Sequence, residues 1–543
     1  MPPTPALTRT AQLVRLGQRR FDVLVIGGGI TGAGIARDAA RRGLDAALVE
    51  RDDFASGTSS RSSRLVHGGV RYLEHGHLRL VFEACHERRV LLRIAPHLVR
   101  PLQFTWPIYR GSRLPRWKLR AGLLLYDLLA LFRNVARHHG VSARDIAVAE
   151  PMLAQEGLTG GAQYFDAATD DARLTLTTLL DAAISGATVL NHAEVSELLW
   201  TDGRVRGARI TDRVGGRTLD IAAACVVNAT GPWTDRVRRM ENPAAPPAVL
   251  GSKGVHIAVS AARVGNRGAV TLLAPDGRVM FVLPAGPCTL IGTTETETHE
   301  PPDEVRATRA DVEYLVAAAN RVFPGALLTP GDVIAAWAGI RPLAAAAHSG
   351  DANSASREHL VATGPGGLVT VTGGKLTTYR VIARDTVNAV FRVLKRRAPR
   401  ARADDLALPG GDVPDLNAEV AAARAASGAD DIAAWLVRAY GGAWHQVWAR
   451  AQGDASLAAR LAPGLPYIAA EVVHAVEAEH ACTIADVLVR RLHLAFETRD
   501  HGLSVAAQVA KLMAPRLGWT DRGIELARAD FAAAVARMFT IDP

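Results

Sequence analysis

Residues 21–50 constrain the fold of this chain more than any other segment. The apolar run DVLVI (residues 22–26) leads into GGGITG (residues 27–32), and a helical stretch follows before a second apolar run that ends in Glu50. This order of strand, glycine turn, helix, strand and acid is typical of a βαβ unit that binds a dinucleotide. We therefore predict a Rossmann-like α/β domain, with an ordinary glycine turn in some other α/β unit as the alternative.

Each glycine of this motif has its own physical role. Gly27 allows the tight turn, Gly29 lets the backbone approach a pyrophosphate, and Gly32 lets the helix pack closely against its strand. The start of the helix presents free N–H groups and a positive dipole end to the phosphates. Glu50 lies about twenty residues beyond the glycines, where a carboxylate accepts hydrogen bonds from a ribose diol.

Composition narrows the classes of partner. The chain has 543 residues, enough for two or three domains, and a net charge of +9, which favours anionic partners. It shows no RNA-binding aromatic signature, helix-turn-helix spacing or zinc finger, so we expect no nucleic acid as partner. Its four cysteines lack metal-ligand spacing, so we expect no metal centre.

The distribution of apolar segments along the chain predicts where in the cell the protein is located. Residues 1–20 lack a sustained apolar segment and a small-residue cleavage site, so we expect a cytoplasmic protein without a secretory signal. No run of about eighteen uncharged apolar residues occurs. The nearest candidate, residues 121–132, is interrupted by Asp127 and predicts a core helix.

Two later segments bear on which nucleotide is bound, since an NAD enzyme could use the first motif alone. The run NATG (residues 228–231) follows a buried strand and can pass close to the nucleotide. The run GGK (residues 373–375) starts a helix whose amides and positive dipole end suit the pyrimidine end of a flavin that accepts a hydride. These segments favour a flavin, and two ordinary helix starts are the alternative.

The hydroxyl-rich block at residues 58–73, TSSRSSRLVHGGVRYL, is the most specific segment. Its hydroxyls and amides can solvate a pyrophosphate, its glycines let the backbone approach a flat ring, and Arg71 with Tyr72 can face an anionic substrate. By composition alone such a stretch is also typical of a mobile loop. With this block the sequence closely resembles the FAD-dependent glycerol-3-phosphate dehydrogenases.

The resemblance extends over nearly the whole chain from Phe21. Besides the first glycines and residues 58–73, the matching segments are NATGPW (228–233), KGVH (253–256), GTT (292–294), GIRPL (339–343), GGKLTTYR (373–380), LPGG (408–411) and TIADVLVRR (483–491). Two places depart from the family pattern. Glu295 stands where the family usually has an aspartate, and the loop after Leu343 is rich in alanine where acids are common.

The resemblance implies an α/β fold with three parts: a Rossmann-like FAD-binding domain, an inserted antiparallel-sheet domain that binds substrate, and a C-terminal α-helical domain. The predicted boundaries are an N-terminal extension at 1–20, an FAD-binding domain at 21–85, 150–235 and 335–400, a substrate-binding cap at 86–149 and 236–334, and helices at 408–543.

The implied reaction is oxidation of sn-glycerol 3-phosphate to dihydroxyacetone phosphate, with a hydride passing from C2 to the flavin. A base that accepts the hydroxyl proton lowers the barrier, and His67 and His256 are the candidates. For the phosphate, guanidinium groups offer a flat fork and a fixed charge. The predicted catalytic residues are His67, His256 and Arg341, and the predicted substrate-binding residues are Arg71, Tyr72, His256, Arg341, Arg357 and Lys375. Structural histidines and solvated arginines are the alternative interpretation.

The motifs and the resemblance together indicate a larger set of residues for FAD. These are Gly27, Gly29, Ile30, Thr31, Gly32, Glu50, Thr58, Ser59, Ser60, Ser62, Ser63, Leu65, His67, Gly68, Gly69, Ala229, Gly231, Gly339, Gly374, Lys375, Leu376 and Thr377.

The resemblance also implies an electron acceptor. Respiratory members of the family pass electrons to a membrane quinone, and a basic chain suits peripheral association with the anionic inner face of the cell membrane. The alternatives are a glycerol-3-phosphate oxidase that reduces oxygen to hydrogen peroxide, a flavin-dependent amine or amino-acid oxidase, and a non-catalytic flavin-binding or nucleic-acid-binding protein. A homodimer is compatible with the sequence.

Overall fold

The computed structural model describes residues 8–74, 76–274, 276–345, 358–401 and 406–543. Its strands are β1 (Arg20–Ile26), β2 (Ala46–Val49), β3 (Leu65–Val66), β4 (Val99–Tyr109), β5 (His139–Val141), β6 (Leu158–Thr169), β7 (Thr188–Leu190), β8 (Ala193–Thr201), β9 (Arg204–Asp212), β10 (Thr218–Asn228), β11 (Val249–Ser260), β12 (Ala269–Leu273), β13 (Val279–Ala285), β14 (Cys288–Gly292), β15 (Thr296–Thr298), β16 (Val333–Ala344), β17 (His359–Thr363) and β18 (Val369–Gly373).

The helices of these ranges alternate with the strands and then occupy the C-terminal quarter. They are α1 (Arg9–Gln18), α2 (Ile30–Arg41), α3 (Leu78–Ile94), α4 (Arg116–Leu129), α5 (Ala143–Ala149), α6 (Asp171–Ile184), α7 (Thr234–Glu241), α8 (Ala261–Val264), α9 (Arg309–Val322), α10 (Tyr379–Val393), α11 (Leu416–Ser427), α12 (Asp430–Tyr440), α13 (Trp444–Gly453), α14 (Ala469–Ala478), α15 (Leu494–Glu497), α16 (Ala506–Leu517) and α17 (Asp521–Phe539).

The first sheet holds the nucleotide motif. Its strand order is β17-β18-β10-β1-β2-β7, and β18, β10, β1, β2 and β7 run parallel to one another, whereas β17 is antiparallel to β18. The strand β1 is buried along nearly its whole length, as expected for a parallel strand covered on both faces. On one face α2 packs against α6 and α10. The predicted Rossmann-like domain is confirmed.

The second sheet is mostly antiparallel. Its order is β15-β11-β14-β13-β12-β4-β6-β3, with β16 paired to β11 and β5 to β6. The longest ladder joins β11 to β16 and places His256 opposite Trp337 and Ser252 opposite Arg341. Because neighbouring strands lie close together, this register brings two of the predicted site segments side by side.

The division of strands between the sheets differs from the predicted boundaries. The predicted FAD-binding segments 150–235 and 335–400 include β6 and most of β16, but both strands belong to the second sheet, as does β3. The reason is long-range pairing: β6 forms a ladder with β4 from Val99–Thr169 to Tyr109–Leu158.

The C-terminal segment is helical, as predicted. Its first helix, α11, begins at Leu416, and helices continue to Phe539. One continuous apolar cluster joins these helices to Phe104, Trp106 and Trp337 of the second sheet. The C-terminal helices therefore share a hydrophobic core with the sheet that carries His256.

The helix α4 differs from the sequence expectation of a core helix. Only four of its residues are buried, and Leu124 and Leu128 on its other face are 49% and 48% exposed. Of the helices in the described ranges, none is long and apolar enough to cross a membrane.

Candidate active site

A cleft lies between the two sheets at the carboxyl ends of β1 and β10, the usual position for a ligand in a parallel α/β sheet. Its cavity volume is about 290 Å³. The structure brings the following predicted residues to its wall: Gly27, Gly29, Ile30, Thr31, Glu50, Thr58, Ser59, Ser62, Ser63, Leu65, His67, Ala229, Gly231, His256, Gly339, Arg341, Gly374, Lys375, Leu376 and Thr377.

Several predicted residues do not belong to this wall. The described lining does not include Gly32, Ser60, Gly68, Gly69, Arg71 or Tyr72. Arg357 lies outside the described residues.

The glycine turn is as tight as the sequence predicts. Gly27 has φ +110°, and a Cβ there would lie 2.6 Å from the carbonyl oxygen of Ala229. A Cβ on Gly32 would collide with the carbonyl oxygen of Gly27. Side chains at either position would therefore separate α2 from the strands beneath it.

Glu50 lies at the tip of β2, inside the cleft. Its carboxylate accepts hydrogen bonds from the backbone N–H groups of Gly28 (2.6 Å) and Asp52 (2.9 Å). Burial raises the pKa of the Glu50 carboxyl above its usual value. These two bonds fix the carboxylate while it faces the cavity, which is the arrangement that recognition of a ribose diol requires.

The hydroxyl-rich block packs beneath the start of α2. Ser59 Oγ accepts a hydrogen bond from the Ile30 N–H (3.0 Å), and the Thr58 hydroxyl donates to the carbonyl oxygen of Ile340 (2.6 Å). Ser62 is held by the buried Asp171, to which both its hydroxyl and its N–H donate. The block thus connects the α2 N-terminus to β16.

His256 is a buried titratable group in the cleft, held by one hydrogen bond and one ring stack. Its Nε2 lies 2.8 Å from Ser63 Oγ, its ring stacks on Trp337 with centroids 5.7 Å apart, and its Nδ1 is buried without a hydrogen-bond partner among the described residues. Burial, together with the charges of Arg341 and Arg64, lowers the pKa of His256 to about 3. The imidazole is therefore neutral at pH 7.

Arg341 presents its guanidinium beside this histidine. Nη2 donates to Thr293 Oγ1 (2.8 Å), and both terminal nitrogens lie 3.3 Å from the Thr294 carbonyl oxygen. Gly254, on the paired strand, leaves room for it, because a Cβ there would lie 2.5 Å from Nη2. The absence of a side chain at Gly254 thus allows the cation to lie flat against the sheet.

A second cation approaches from the other sheet. Lys375 is 8% exposed, and its ammonium lies 4.5 Å from the centroid of the Tyr72 ring and 3.5 Å from the His67 carbonyl oxygen. The His67 N–H donates to Thr377 Oγ1, and its ring packs edge-on against Phe281. His67 is thus held at the cleft by both its backbone and its ring.

Arg71 has a different setting from the one predicted. It forms an ion pair with Glu295 at 3.0 Å, and neither residue belongs to the described lining of the cleft. Glu295 is the residue at which the sequence departs from the family pattern, and its longer side chain reaches Arg71.

Sequence reasoning missed several lining residues, among them Arg51, Arg61, Trp233 and Met240. The guanidinium of Arg51 lies 5.0 Å from the centroid of the Trp233 ring. Arg61 donates to the Ala338 carbonyl oxygen, and burial lowers its pKa to about 10. Arg51 follows Glu50 directly and Arg61 lies inside residues 58–73, so the signal that could have found them was proximity to the recognised motifs.

The residues of the cleft fit a flavin dinucleotide. The helix start beyond Gly29 and the Glu50 carboxylate lie at one end, and the positive-φ glycines Gly373 and Gly374 lead into the Leu376–Thr378 turn at the other. A Cβ at Gly374 would collide with Ile382, so the backbone lies close against α10. A phosphate-binding helix start at one end and a second set of amides at the other match the two ends of FAD.

Comparison with known proteins places the chain in a family. Residues 22–380 match the family model described as FAD dependent oxidoreductase, and residues 401–523 match the C-terminal domain of alpha-glycerophosphate oxidase. The chain is 39% identical over 531 residues to glycerol-3-phosphate dehydrogenase 2 of Mycobacterium tuberculosis strain H37Rv, covering 96% of this chain and 89% of that protein. It belongs to the FAD-dependent glycerol-3-phosphate dehydrogenase family.

Other members agree along the whole chain. The glycerol-3-phosphate dehydrogenase of Synechocystis is 38% identical over 518 residues, covering 92% of this chain and 94% of that protein. The solved structure of the Bacillus halodurans glycerol-3-phosphate dehydrogenase, complexed with FAD, is 31% identical with a TM-score of 0.80 and covers 99% of this chain and 100% of that one. Family membership confirms the predicted fold class and FAD as the cofactor.

Proposed function

We propose that this protein oxidises sn-glycerol 3-phosphate to dihydroxyacetone phosphate with FAD and passes the electrons to a membrane quinone. One observation carries the proposal: Arg341, Lys375 and the Ser63–His256 pair line the same cleft as the glycine turn and Glu50. A cation site for a phosphate and a proton acceptor therefore lie next to the flavin site. The names of the family members in the comparisons support the same substrate.

The phosphate site is assigned to Arg341 and Lys375. Both cations approach the cleft from opposite sheets and are partly removed from water, which strengthens their attraction for a dianion. The guanidinium of Arg341 can donate two parallel hydrogen bonds, whereas the ammonium of Lys375 acts as a point charge. We assign Tyr72 to the support of this pocket, because its ring contacts the Lys375 ammonium.

The chemistry removes one hydrogen from C2 and one from the C2 hydroxyl. The C2–H bond breaks with its electron pair, the C2 hydroxyl loses a proton, and the C2–O bond becomes a carbonyl. When bound, FAD supplies the acceptor for that hydride. The remaining task of the protein is to take the proton and to hold C2 in line with the flavin.

We assign the proton to the Ser63–His256 pair. Ser63 lies on the cleft wall, and its hydroxyl is within hydrogen-bond distance of the neutral Nε2 of His256. A proton leaving the substrate can pass through Ser63 to Nε2, or directly to Nε2. His67 is the alternative acceptor.

Reduction of the flavin tests this function. Anaerobic addition of sn-glycerol 3-phosphate is expected to bleach the yellow protein, whereas glycine leaves the spectrum unchanged. Bleaching by an amino acid alone would instead identify an amine oxidase, and no response to either compound would identify a non-catalytic flavoprotein. Re-oxidation by a quinone analogue without hydrogen peroxide supports the dehydrogenase, and stoichiometric peroxide in air identifies an oxidase.

We further propose that α4 brings the protein to the anionic inner face of the cell membrane. Trp117 is 72% exposed, and the exposed residues Leu124, Leu128 and Phe132 extend an apolar surface along and beyond the helix. Residues 110–137 contain seven Arg or Lys residues and a single acid, the buried Asp127. An apolar stripe within a basic rim is typical of a segment that lies in a lipid interface.

Vesicle binding tests this placement. We expect the protein to sediment with vesicles containing phosphatidylglycerol and to remain in solution with phosphatidylcholine alone. Trp117→Gln should weaken vesicle binding several-fold, whereas Trp200→Gln, an exposed tryptophan on β8, should not. Equal effects of the two substitutions would remove α4 from the proposal. Sedimentation of the lipid-free protein tests the homodimer, which stays a prediction.

A further inference from the structure

A row of buried aromatic rings connects His256 to the C-terminal helices. The His256 ring stacks on Trp337 with an interplanar angle of 13°, and Trp337 meets Phe496 edge-on with centroids 5.0 Å apart. Phe496, on α15, meets Phe539 of α17 edge-on at 5.2 Å. All four rings are at most 5% exposed, so they move only if their neighbours repack.

Hydrogen bonding alone leaves the His256 ring weakly fixed. Nε2 pairs with Ser63, while Nδ1 has no partner within the described part of the chain. A histidine with one hydrogen bond can turn about its Cβ–Cγ bond, because that torsion is broad. Its orientation toward the cleft therefore depends on the packing of its ring, against Trp337 and against the backbone of Gly292.

Phe496 also supports the other member of the pair. Arg64 follows Ser63, adopts a left-handed φ of +54°, and places its guanidinium 5.1 Å from the centroid of the Phe496 ring. The Arg64 carbonyl accepts a hydrogen bond from the Thr169 N–H (2.8 Å). One side chain of the C-terminal segment thus contacts the neighbours of both Ser63 and His256.

We infer that Phe496 is a positioning residue, through which the C-terminal helical domain holds the Ser63–His256 pair in its reactive geometry. The inference rests on the proposed function, because it takes this pair as the proton acceptor. Phe496 lies outside the described lining of the cleft, which includes Arg341 and Lys375. Its loss should therefore slow the chemical step without weakening substrate binding.

The variant Phe496→Leu tests this role against Phe531→Leu. Phe531 is equally buried at 2% exposure and lies in the same domain, on α17 beside Gly502. We expect Phe496→Leu to lower kcat by about tenfold or more, with KM for glycerol 3-phosphate within twofold of the parent, because small misplacements of a reacting group are costly. Phe531→Leu should keep kcat within twofold of the parent value, even if its melting temperature falls as far as that of Phe496→Leu.

A double-mutant cycle distinguishes positioning from general destabilisation. If Phe496 acts through His256, Phe496→Leu should lower kcat in the parent enzyme and have no further effect in the His256→Gln enzyme. If Phe496→Leu fails to retain FAD, Trp337→Phe takes its place in the test. We expect Trp337→Phe to lower kcat with little change in KM, and to have no further effect on kcat in the His256→Gln enzyme.

The outcomes distinguish failure of the positioning role of Phe496 from failure of the proposed proton acceptor. Equal kcat values for Phe496→Leu and Phe531→Leu, or additive losses in the cycle, would overturn the positioning role and leave the proposed function intact. A His256→Gln enzyme with the parent kcat would overturn the proposed proton acceptor itself.

Discussion

Replacing Arg341 by methionine is the most direct test of the phosphate site. The guanidinium is anchored by Thr293 and by the Thr294 carbonyl, and Gly254 leaves the space that it occupies. Methionine keeps most of the aliphatic stem and removes the charge and the donors. Thr293 and Ser252 contact the guanidinium through neutral hydroxyls.

The expected magnitude follows from the hydrogen bonds that Arg341 can donate to a bound phosphate. A hydrogen bond to a charged group contributes about 1.5–3 kcal/mol, and a guanidinium fork makes two of them in a partly screened site. Since Lys375 remains, we expect a loss of about 2–4 kcal/mol, or about 30- to 1,000-fold in kcat/KM. Arg341 also lowers the pKa of His256, so the variant should raise that pKa and move the acid limb of the rate profile to higher pH.

The assay compares two substrates with one electron acceptor. Reduction of a dye by the enzyme is followed with glycerol 3-phosphate and with glycerol, which has no phosphate for Arg341 to bind. The variant Arg263→Met serves as the control, because Arg263 is a half-exposed cation paired with Asp332 outside the cleft. FAD content is measured for each protein.

Two results of this assay would refute the assignment. We expect the penalty to appear with glycerol 3-phosphate and to be nearly absent with glycerol. An Arg341→Met enzyme that loses less than threefold with the phosphate substrate, or that loses the same factor with both substrates, would show that Arg341 does not bind the phosphate.

Three further outcomes are expected. Gly27→Ala should purify with little FAD, because the new Cβ meets the Ala229 carbonyl. The control Gly453→Ala should retain FAD, because there is open space around Gly453. Absorbance at the flavin band measures the FAD content of both variants. His256→Gln should lower kcat by about 10²- to 10⁴-fold at unchanged FAD content, measured by stopped-flow flavin reduction. Burial raises the pKa of Glu497 to about 7, above its ordinary value of 4.5. The folded state therefore favours the neutral carboxyl, and this contribution to the stability of the fold is lost as pH rises from about 4.5 through 7. Glu497→Gln should therefore raise the melting temperature at pH 8 relative to the parent and have little effect at pH 4.5; an equal shift at both pH values would contradict this assignment.

Local rules were sufficient for the glycine turn. Gly27, Gly32 and Glu50 lie within one βαβ unit, and their roles depend on backbone conformation and close approach over a short stretch of chain. Residue type and spacing indicate those requirements directly. The geometry of the nucleotide end of the cleft could therefore be predicted from the sequence alone.

Long-range pairing limited the prediction of domain boundaries. Whether β6 and β16 join the first or the second sheet depends on which distant strand they pair with. The apolar pattern of a strand does not identify that partner. The same limit applies to α4, because a half-apolar helix has the same periodicity whether its apolar stripe faces a core or a lipid interface.

Electrostatics of the closed cleft could not be read from residue types. Asp171 resembles any acid in the sequence, yet in the structure it is fully buried, it accepts hydrogen bonds from Ser62, and burial raises its pKa to about 6. His256 and His67 are equivalent as candidate bases in the sequence. Only the structure shows that the His256 ring is neutral, stacked on Trp337 and paired with Ser63, whereas the His67 ring packs edge-on against Phe281.

The two halves of the proposed site depend on each other through Arg341. Without substrate, the burial of the imidazole and the positive charge of Arg341 keep His256 unprotonated, so the lone pair needed to accept a proton is available. A phosphate dianion bound at Arg341 offsets that charge, and the affinity of His256 for a proton then rises. In the proposed site, substrate binding thus increases the basicity of the histidine at the stage when the C2 hydroxyl must lose its proton.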